Sequence, residues 1–579
     1  MRLKTNYEIG KIPLSEYPRP QMRRNRYLSL NGVWRFEKAK RTEQVSVLSK
    51  TILVPFSPES LNSGVEEGFI LGEDEKLVYE REFEVGEDFL KGVTLLHFGA
   101  VDQECEVFLN GRAVYAHGSG FTPFTVDVTS SIVKGSNTLR VECVDVTEKN
   151  ELTRGKQSSK PGTIWYTAQS GIWQSVWLES VPENYIRDLL IQTDAEHRRV
   201  RVVSEFDGKQ KITVFDGETV LLEKDFDGKE VVFEGDFALW SPENPKLYDF
   251  TVTTDSGDSV QSYFGVRSFG VGKDENGRAR LLLNGKPYFM NGILDQGYWS
   301  DGLLTPPSDK AMLDELTMLK DMGFNMIRKH IKIEPLRWYY HCDRLGLLVW
   351  QDFVNGGGEY KFSHVALFPF LGFKHKDNDY KYFARKSKRG RYEFIHALED
   401  TVAQLKNCPC ISTWVVFNEG WGQFDSARIT ALVESLDGTR LIDSVSGWHD
   451  QGVRKTTMRS MHTYYTPLRV PRDPRPVVLS EFGGYSKKVA GHVFNEKKEF
   501  GYKVFQTEEE LLEGLKKLYL KKLKPLIQKG LCAAVYTQVS DVEEEINGLV
   551  TYDRKHWKVP TAEMQKIMTE IMDEANKIQ

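Results

Sequence analysis

The sequence predicts three domains in series: a jelly-roll β-sandwich over residues 1–182, an immunoglobulin-like β-sandwich over 183–268 and a (β/α)8 barrel over 269–579. Three observations carry this reading. Up to about residue 268 the chain runs in short apolar/polar alternations broken by turn dipeptides, the texture of antiparallel sheet. After Phe264-Gly-Val-Arg-Ser268 it changes to strand–helix alternation, which calls for a parallel sheet with crossover helices. Two later apolar runs, Thr413-Trp-Val-Val-Phe-Asn418-Glu419-Gly420 and Pro476-Val-Val-Leu-Ser-Glu481-Phe-Gly483, stop at a glutamate and a turn. A barrel presents polar groups on its C-terminal rim in this way.

In the first domain, Leu77–Glu84, Glu104–Leu109 and Thr138–Val144 alternate as half-buried strands. Asn110-Gly111 is a hairpin dipeptide whose residues accept positive φ. The closing run Gly171-Ile-Trp173-Gln-Ser-Val-Trp177-Leu reads as one continuous strand with two tryptophans four apart. Pro182-Glu-Asn marks a boundary. Beyond it, runs such as Arg199–Ser204, Lys211–Phe215 and Leu247–Thr253, punctuated by Asp-Gly turns, fit an immunoglobulin-like sandwich without its disulfide.

Eight candidate barrel strands follow, at 288–291, 326–328, 347–350, 414–417, 440–443, 460–462, 477–479 and 533–536. An amphipathic helix from Ser308, its N-cap, to Met322 lies between the first two. A doubly wound open sheet would want a glycine-rich phosphate turn, and neither GxGxxG nor GxxxxGK[ST] occurs. Residues 355–392 read as an ordered loop on the barrel rim, with the basic run Lys386–Arg391 solvated.

Composition narrows the function classes. The 579 residues are 40% hydrophobic and 27% charged, as in an ordinary globular protein, and a net charge of −5 without a basic block argues against nucleic acid. No apolar run of membrane-spanning length occurs and the N-terminus carries no leader-like core, so the expected location is cytoplasmic, away from membranes. Six scattered cysteines read as reduced, structural thiols; Cys408-Pro-Cys410 has no second pair or histidine to complete a zinc site. The twelve histidines show no HxH or HExxH spacing, so no catalytic metal or other cofactor is expected, and a structural Mg2+ or Na+ has no readable signature.

Two glutamates ending separate barrel strands point to glycoside hydrolysis, in which one carboxyl protonates the leaving oxygen and the other attacks or activates water. A helix-capping or ion-paired glutamate is the plain alternative for either one alone. The order of domains, with Tyr17-Pro-Arg-Pro, Leu30-Asn-Gly-Val-Trp34, Gly171–Trp177, Asn284-Gly-Lys-Pro287, Gly323–His330, Asn418-Glu419, Ser480-Glu481-Phe-Gly and Asn547-Gly-Leu-Val-Thr-Tyr-Asp-Arg554, resembles glycoside hydrolase family 2 over nearly the whole chain. That family contains the β-galactosidases, β-glucuronidases and β-mannosidases. The resemblance implies a sugar-binding-like first domain, a carbohydrate substrate and an exo-acting, retaining mechanism, with Glu481 as nucleophile and Glu419 as acid/base. A homo-oligomer is expected from the resemblance alone.

It further implies that Asn418 binds the sugar's 2-hydroxyl and that Tyr464, with Tyr465 as the alternative, holds the nucleophile. His330 and Arg328 end an early strand at the site, Arg328 being equally readable as buried structure. Trp448 and Tyr536, near later strand ends, read as sugar-stacking walls. Where many members have an Asn-Arg-His-Glu-like run, this chain has Ile293-Leu-Asp295-Gln296, so Asp295 and Gln296 are expected to grip hydroxyls of the terminal sugar. Where β-glucuronidases carry Asn-x-Lys, it has Glu544-Glu545-Ile-Asn547 and no lysine, which disfavours a uronate and favours a neutral sugar, galactoside first. A non-catalytic carbohydrate-binding protein on this scaffold is the second reading, since fold does not fix activity, and a β-glucuronidase or β-mannosidase specificity is the alternative within the hydrolase reading. A metal-dependent amidohydrolase ranks last.

Overall fold

The computed structural model describes residues 3–453 and 456–578. The first sandwich packs a six-stranded sheet, ordered Lys50–Val54, Gly32–Lys40, Glu75–Val85, Gly135–Val144, Glu104–Leu109, Arg112–His117, against a four-stranded one formed by Tyr27–Ser29, Val176–Val181, Val93–Phe98 and Phe124–Asp127. In Gly135–Val144 the side chains of Leu139, Val141 and Cys143 are buried and their neighbours half-buried, so the period of two in the sequence is the period of the pleat. Asn110 and Gly111 turn the last hairpin with φ of 53° and 79°.

The run Gly171–Leu178 is not one strand. Gly171–Ile172 pairs with Val101–Asp102, and a new strand begins at Val176, whose N–H donates to Asn31 Oδ1 at 2.9 Å. Trp173 turns inward between them, its indole N–H on Gly120 O at 2.8 Å. The second sandwich has a three-stranded and a four-stranded sheet, from Leu189–Asp194 to Ser259–Phe264, around Ile212, Val214, Phe233, Phe250 and Phe264.

Eight parallel strands form the third unit: β1 Met290–Asp295, β2 Met326–Lys329, β3 Leu348–Asp352, β4 Ile411–Asn418, β5 Leu441–Ser446, β6 Arg459–Thr463, β7 Val477–Gly483 and β8 Leu531–Thr537. β5 and β6, the ends of the hydrogen-bonded order, meet through Thr457 N–H on Ile442 O at 2.9 Å and the close hydroxyls of Ser446 and Ser460. Nearly every residue of these strands is buried, which is why each reads as an apolar run rather than an alternation. β7 is irregular where it matters: against both β6 and β8 it carries one extra residue at Ser480–Glu481. Such a bulge re-aims the side chains beside it.

The segment 355–392 is partly helical, with short turns at Ser363–Leu367 and Phe368–Phe370. The basic run opens a helix, Lys388–Leu405, capped by Ser387 Oγ accepting from Gly390 N. Arg385, just before it, is fully buried on the carbonyls of Gly422 and Glu151. All six cysteines are buried free thiols. Among the described residues no helix is long and apolar enough to cross a membrane.

Candidate active site

Glu481 projects from the β7 bulge and Glu419 from the turn after β4, where its backbone takes φ 49° and its N–H donates to Ser446 O at 3.0 Å. Holding a non-glycine residue in the left-handed region is strained, a feature concentrated at functional sites. Between the two carboxylates stands His462 from β6. Its Nδ1 lies 2.6 Å from Glu419 Oε1 and 3.4 Å from Glu481 Oε2, and its Nε2 is 2.9 Å from Ser446 Oγ. One oxygen of each glutamate and one ring nitrogen all lie within 4.8 Å of one another. That is the scale of the about 5–5.5 Å carboxyl separation of retaining glycosidases and short of the about 6.5–9.5 Å of inverting ones. Three such donors also meet the distance requirement for a metal ion, but hydrogen bonds from protein groups already engage both carboxylates.

Glu481 is surrounded by donors. Tyr464 donates its hydroxyl to Oε2 at 2.5 Å, and Arg328 reaches Oε1 at 3.1 Å. Burial alone would raise the Glu481 pKa, but His462, Arg328 and the Tyr464 hydroxyl outweigh it and hold the carboxyl below its ordinary value. Glu419 goes the other way. Burial and the charge of Glu481 raise its pKa against the pull of His462. The pair is therefore split into a ready anion and a ready acid.

Arg328, on β2 and wholly buried, is the hub. It grips Asp352 of β3 with two nitrogens at 2.9 and 3.0 Å, and it reaches Ser480 O at 3.1 Å and Asn418 Oδ1 at 2.8 Å. Asn418 thus has its oxygen fixed while its Nδ2, also buried, has no partner among the described residues. A fixed, unfilled amide donor beside two carboxylates suits a ligand hydroxyl. His330 is oriented by Asp352 at 2.7 Å and makes a T-shaped contact with Trp421, ring centres 6.1 Å apart. Tyr464 stacks on Tyr502 at 3.8 Å, whereas Tyr465 faces solvent. Trp448 and His462 meet in a T-shaped contact with ring centres 5.4 Å apart.

Two expectations are corrected. Asp295 does not face the site mouth with a free carboxylate: Lys329 takes one oxygen and Gly297 N–H the other at 2.8 Å, inside a buried cluster with Glu334 and Lys332. Tyr536 is not a wall. It is fully buried against Phe482 and Tyr519, its hydroxyl accepting from Tyr485 N at 3.3 Å, because alternation along β8 turns it away and brings Thr537 Oγ1 to 3.1 Å from Tyr464 instead. Gln296 is buried in a chain of amides, donating to Gln538, which donates to Asn547, which donates to Glu545.

Sequence reasoning passed over His462, Asp352 and Tyr502. His462 and Asp352 end strands beside polar neighbours, a signal as good as the one that marked Glu419. It also missed a contribution from the first sandwich, where Tyr166 donates to Glu545 Oε2 at 2.5 Å and Trp165 packs 5.0 Å from Trp421.

A three-domain β-sandwich, β-sandwich and (β/α)8 barrel chain with paired rim carboxylates is a class with known representatives. The sequence profiles described as "Glycosyl hydrolases family 2, TIM barrel domain", "sugar binding domain" and "Glycosyl hydrolases family 2" match residues 276–572, 56–182 and 184–267. The chain belongs to glycoside hydrolase family 2. Among curated relatives, a β-glucuronidase of Streptococcus agalactiae is 26% identical over 70% of this chain and 68% of its own length. A β-galactosidase of Lactococcus lactis is 22% identical over 79% and 48%. For several such relatives the chain spans about half their length. The fold is that of the Dictyoglomus thermophilum β-D-glucuronidase (TM-score 0.73, 18% identity, 96% of this chain and 98% of that one). An Eisenbergiella tayi β-galacturonidase bound to galacturonate is also similar (TM-score 0.67, 18% identity, 98% and 99%).

Proposed function

We propose that the protein is an exo-acting, retaining β-glycosidase. The observation that carries this reading is the carboxylate pair bridged by one imidazole, with Glu481 surrounded by donors and Glu419 pushed toward its acid form. Glu481 attacks the anomeric carbon and forms a glycosyl ester, while Glu419 delivers its proton to the departing oxygen. Esterification removes the Glu481 charge and so lowers the Glu419 pKa; Glu419, having given its proton to the leaving oxygen, stays ionised and takes a proton from water in the second step. Asn418 Nδ2 is the donor for the sugar's 2-hydroxyl, a contact that strengthens in the transition state.

Relatives named β-glucuronidase, β-galactosidase and β-galacturonidase support a terminal β-linked hexose or hexuronic acid as the sugar. The acidic run 544–545 repels a uronate less than its formal charge implies, because Glu545 is enclosed by Tyr166 and Asn547 and its pKa is raised by burial.

The test is hydrolysis of a panel of 4-nitrophenyl β-glycosides by the parent, Glu481→Ala and Glu419→Ala. Azide should rescue Glu481→Ala with inverted product and Glu419→Ala with retained product. Parental activity in either variant rejects the assignment.

A further inference from the structure

We infer that Lys156, carried by the first sandwich, is the cation of the sugar site and selects substrates whose terminal sugar bears an anionic group, a uronoside first. The inference rests on the glycosidase reading above and adds the substrate class.

The sandwich places this lysine firmly. Residues 153–157 lie on the barrel rim: Arg154 and Gly155 N–H groups donate to Asn355 O at 3.0 and 3.1 Å, and the Arg154 guanidinium reaches the carbonyls of Gly357 and Gly358. Thr153 is fixed by Glu393 through backbone and hydroxyl at 3.0 and 2.6 Å. At Gly155, with φ 64°, a Cβ would stand 2.9 Å from Ile331 O, so the strap can approach the barrel this closely only as glycine. Gln157–Ser158 then pairs with Tyr166–Thr167, which sets Lys156, Trp165 and Tyr166 side by side.

The Lys156 ammonium is enclosed and underused. The residue is 5% exposed. Its Nζ makes one hydrogen bond, to Ile164 O at 3.3 Å, and stands 4.6 Å from the ring centre of Trp421, two residues beyond Glu419. Trp165 and Tyr166 wall it at 5.5 and 5.7 Å. Among the described residues no carboxylate comes within 4.0 Å, although Glu545, Glu481 and Glu419 are the acids that act on it and Arg328 the cation. An ammonium has three donors, and among the described residues two here have no acceptor.

The plain alternative is a lysine that only balances Glu545. A flexible lysine doing that would close onto the carboxylate. Here both Glu545 oxygens are bonded to Tyr166 and Asn547, and the aromatic walls hold the ammonium apart. A buried cation without a counter-charge in contact is costly and is expected where a ligand supplies the missing anion. Burial lowers the Lys156 pKa while the three glutamates pull it back toward the charged form. Where β-glucuronidases carry Asn-x-Lys this chain has Glu544-Glu545-Ile-Asn547, and Lys156 would supply a positive charge from a different domain.

The experiment measures kcat/KM for 4-nitrophenyl β-glucuronide, β-galacturonide, 6-sulfo-β-galactoside and β-galactoside with the full chain and with Lys156→Met and Lys156→Arg. The parent should prefer an anionic sugar. In Lys156→Met the anionic-to-galactoside ratio should fall about 30-fold or more, mostly through KM, as for removal of one partner of a buried charge pair. Lys156→Arg should recover part of that loss, and the melting temperature of Lys156→Met should not drop, since it removes a buried charge whose hydrogen bond, to Ile164 O, is long and which has no carboxylate in contact among the described residues. The uronide and sulfate arms tell carboxylate from sulfate. A parent that prefers the galactoside, or an unchanged ratio in Lys156→Met, overturns the inference. Calorimetric titration with free glucuronate and galacturonate keeps the two readings separable: binding lost in Lys156→Met but no turnover of any glycoside would sink the hydrolase reading alone, and absence of uronate binding by the parent would sink this one.

Discussion

His462 Nδ1 approaches Glu419 Oε1 at 2.6 Å, so the proposed acid/base is oriented by an imidazole that also stands beside the proposed nucleophile. In the proposed mechanism Glu481 must be ionised to attack, and its pKa is held down; Glu419 must be protonated to assist, and its pKa is raised. The sign follows directly. Activity is lost on the acid side as Glu481 takes a proton and on the alkaline side as Glu419 gives one up. The kcat/KM profile should be a bell whose limbs belong to the coupled pair. In Glu419→Gln the alkaline limb should vanish for a substrate with a strongly activated leaving group, while poorer leaving groups lose about 10²–10⁴-fold. A persisting alkaline limb would assign it to another residue.

Arg328 ties Asp352, Glu481, Asn418 and the Ser480 carbonyl into one buried assembly. A lysine cannot reproduce two parallel bonds to Asp352 together with reach to three other acceptors. Arg328→Lys should therefore lower kcat about 10²–10³-fold on every sugar, the range for losing one preorganised donor at a reacting centre. Steady-state kinetics on the whole panel checks this, and a loss confined to one sugar would make Arg328 a specificity residue instead.

The eight barrel strands were legible because parallel strands buried on both faces are written as unbroken apolar runs, and Glu419 and Glu481 because polar residues interrupt those runs at the rim. The same property hid the parity of β8. With both faces apolar, nothing in Ala533–Thr537 tells whether Tyr536 or Thr537 turns toward the site. Asp295 looked available because its counter-ion, Lys329, lies on the neighbouring strand. Lys156 was invisible because its place depends on how a strap of the first sandwich lies across the barrel. The break at Trp173 depends likewise on Asn31, far away in sequence.

Tyr17, Arg19 and Trp177, drawn from two separated sequence motifs, converge on one buried carboxylate, Glu179, at 2.6, 2.7 and 2.9 Å, with Arg24 at 3.2 Å. Burial would raise the Glu179 pKa, but Arg19, His97 and Arg24, with the Tyr17 hydroxyl, outweigh it and hold the carboxyl well below its ordinary value. The stabilisation is therefore present above the unfolded-state pKa and is lost as pH falls through the folded one. Glu179→Ala should cost about 3–5 kcal/mol at neutral pH, because it leaves buried cations without their anion. The gap in melting temperature between parent and variant should narrow as pH drops below about 4. A gap constant from pH 7 to pH 3 would show that the ion network contributes nothing beyond packing.

Tyr536 and its neighbour Thr537 give a test of which face of β8 meets the sugar. Tyr536 lies among Phe482 and Tyr519 and accepts one backbone hydrogen bond, so Tyr536→Phe should lose about 1 kcal/mol of stability. Its kinetic constants should stay within about twofold of the parent, since surface and core changes remote from reacting atoms leave transition-state contacts intact. Thr537 Oγ1 lies 3.1 Å from the Tyr464 hydroxyl that donates to Glu481. Thr537→Val removes that support, weakens the alignment of Tyr464, and should lower kcat about tenfold, one hydrogen bond's worth, with little change in melting temperature. The two variants thus separate stability from catalysis along two adjacent residues. A KM rise in Tyr536→Phe that follows the sugar would return Tyr536 to the site wall and put the β8 alternation out of register by one.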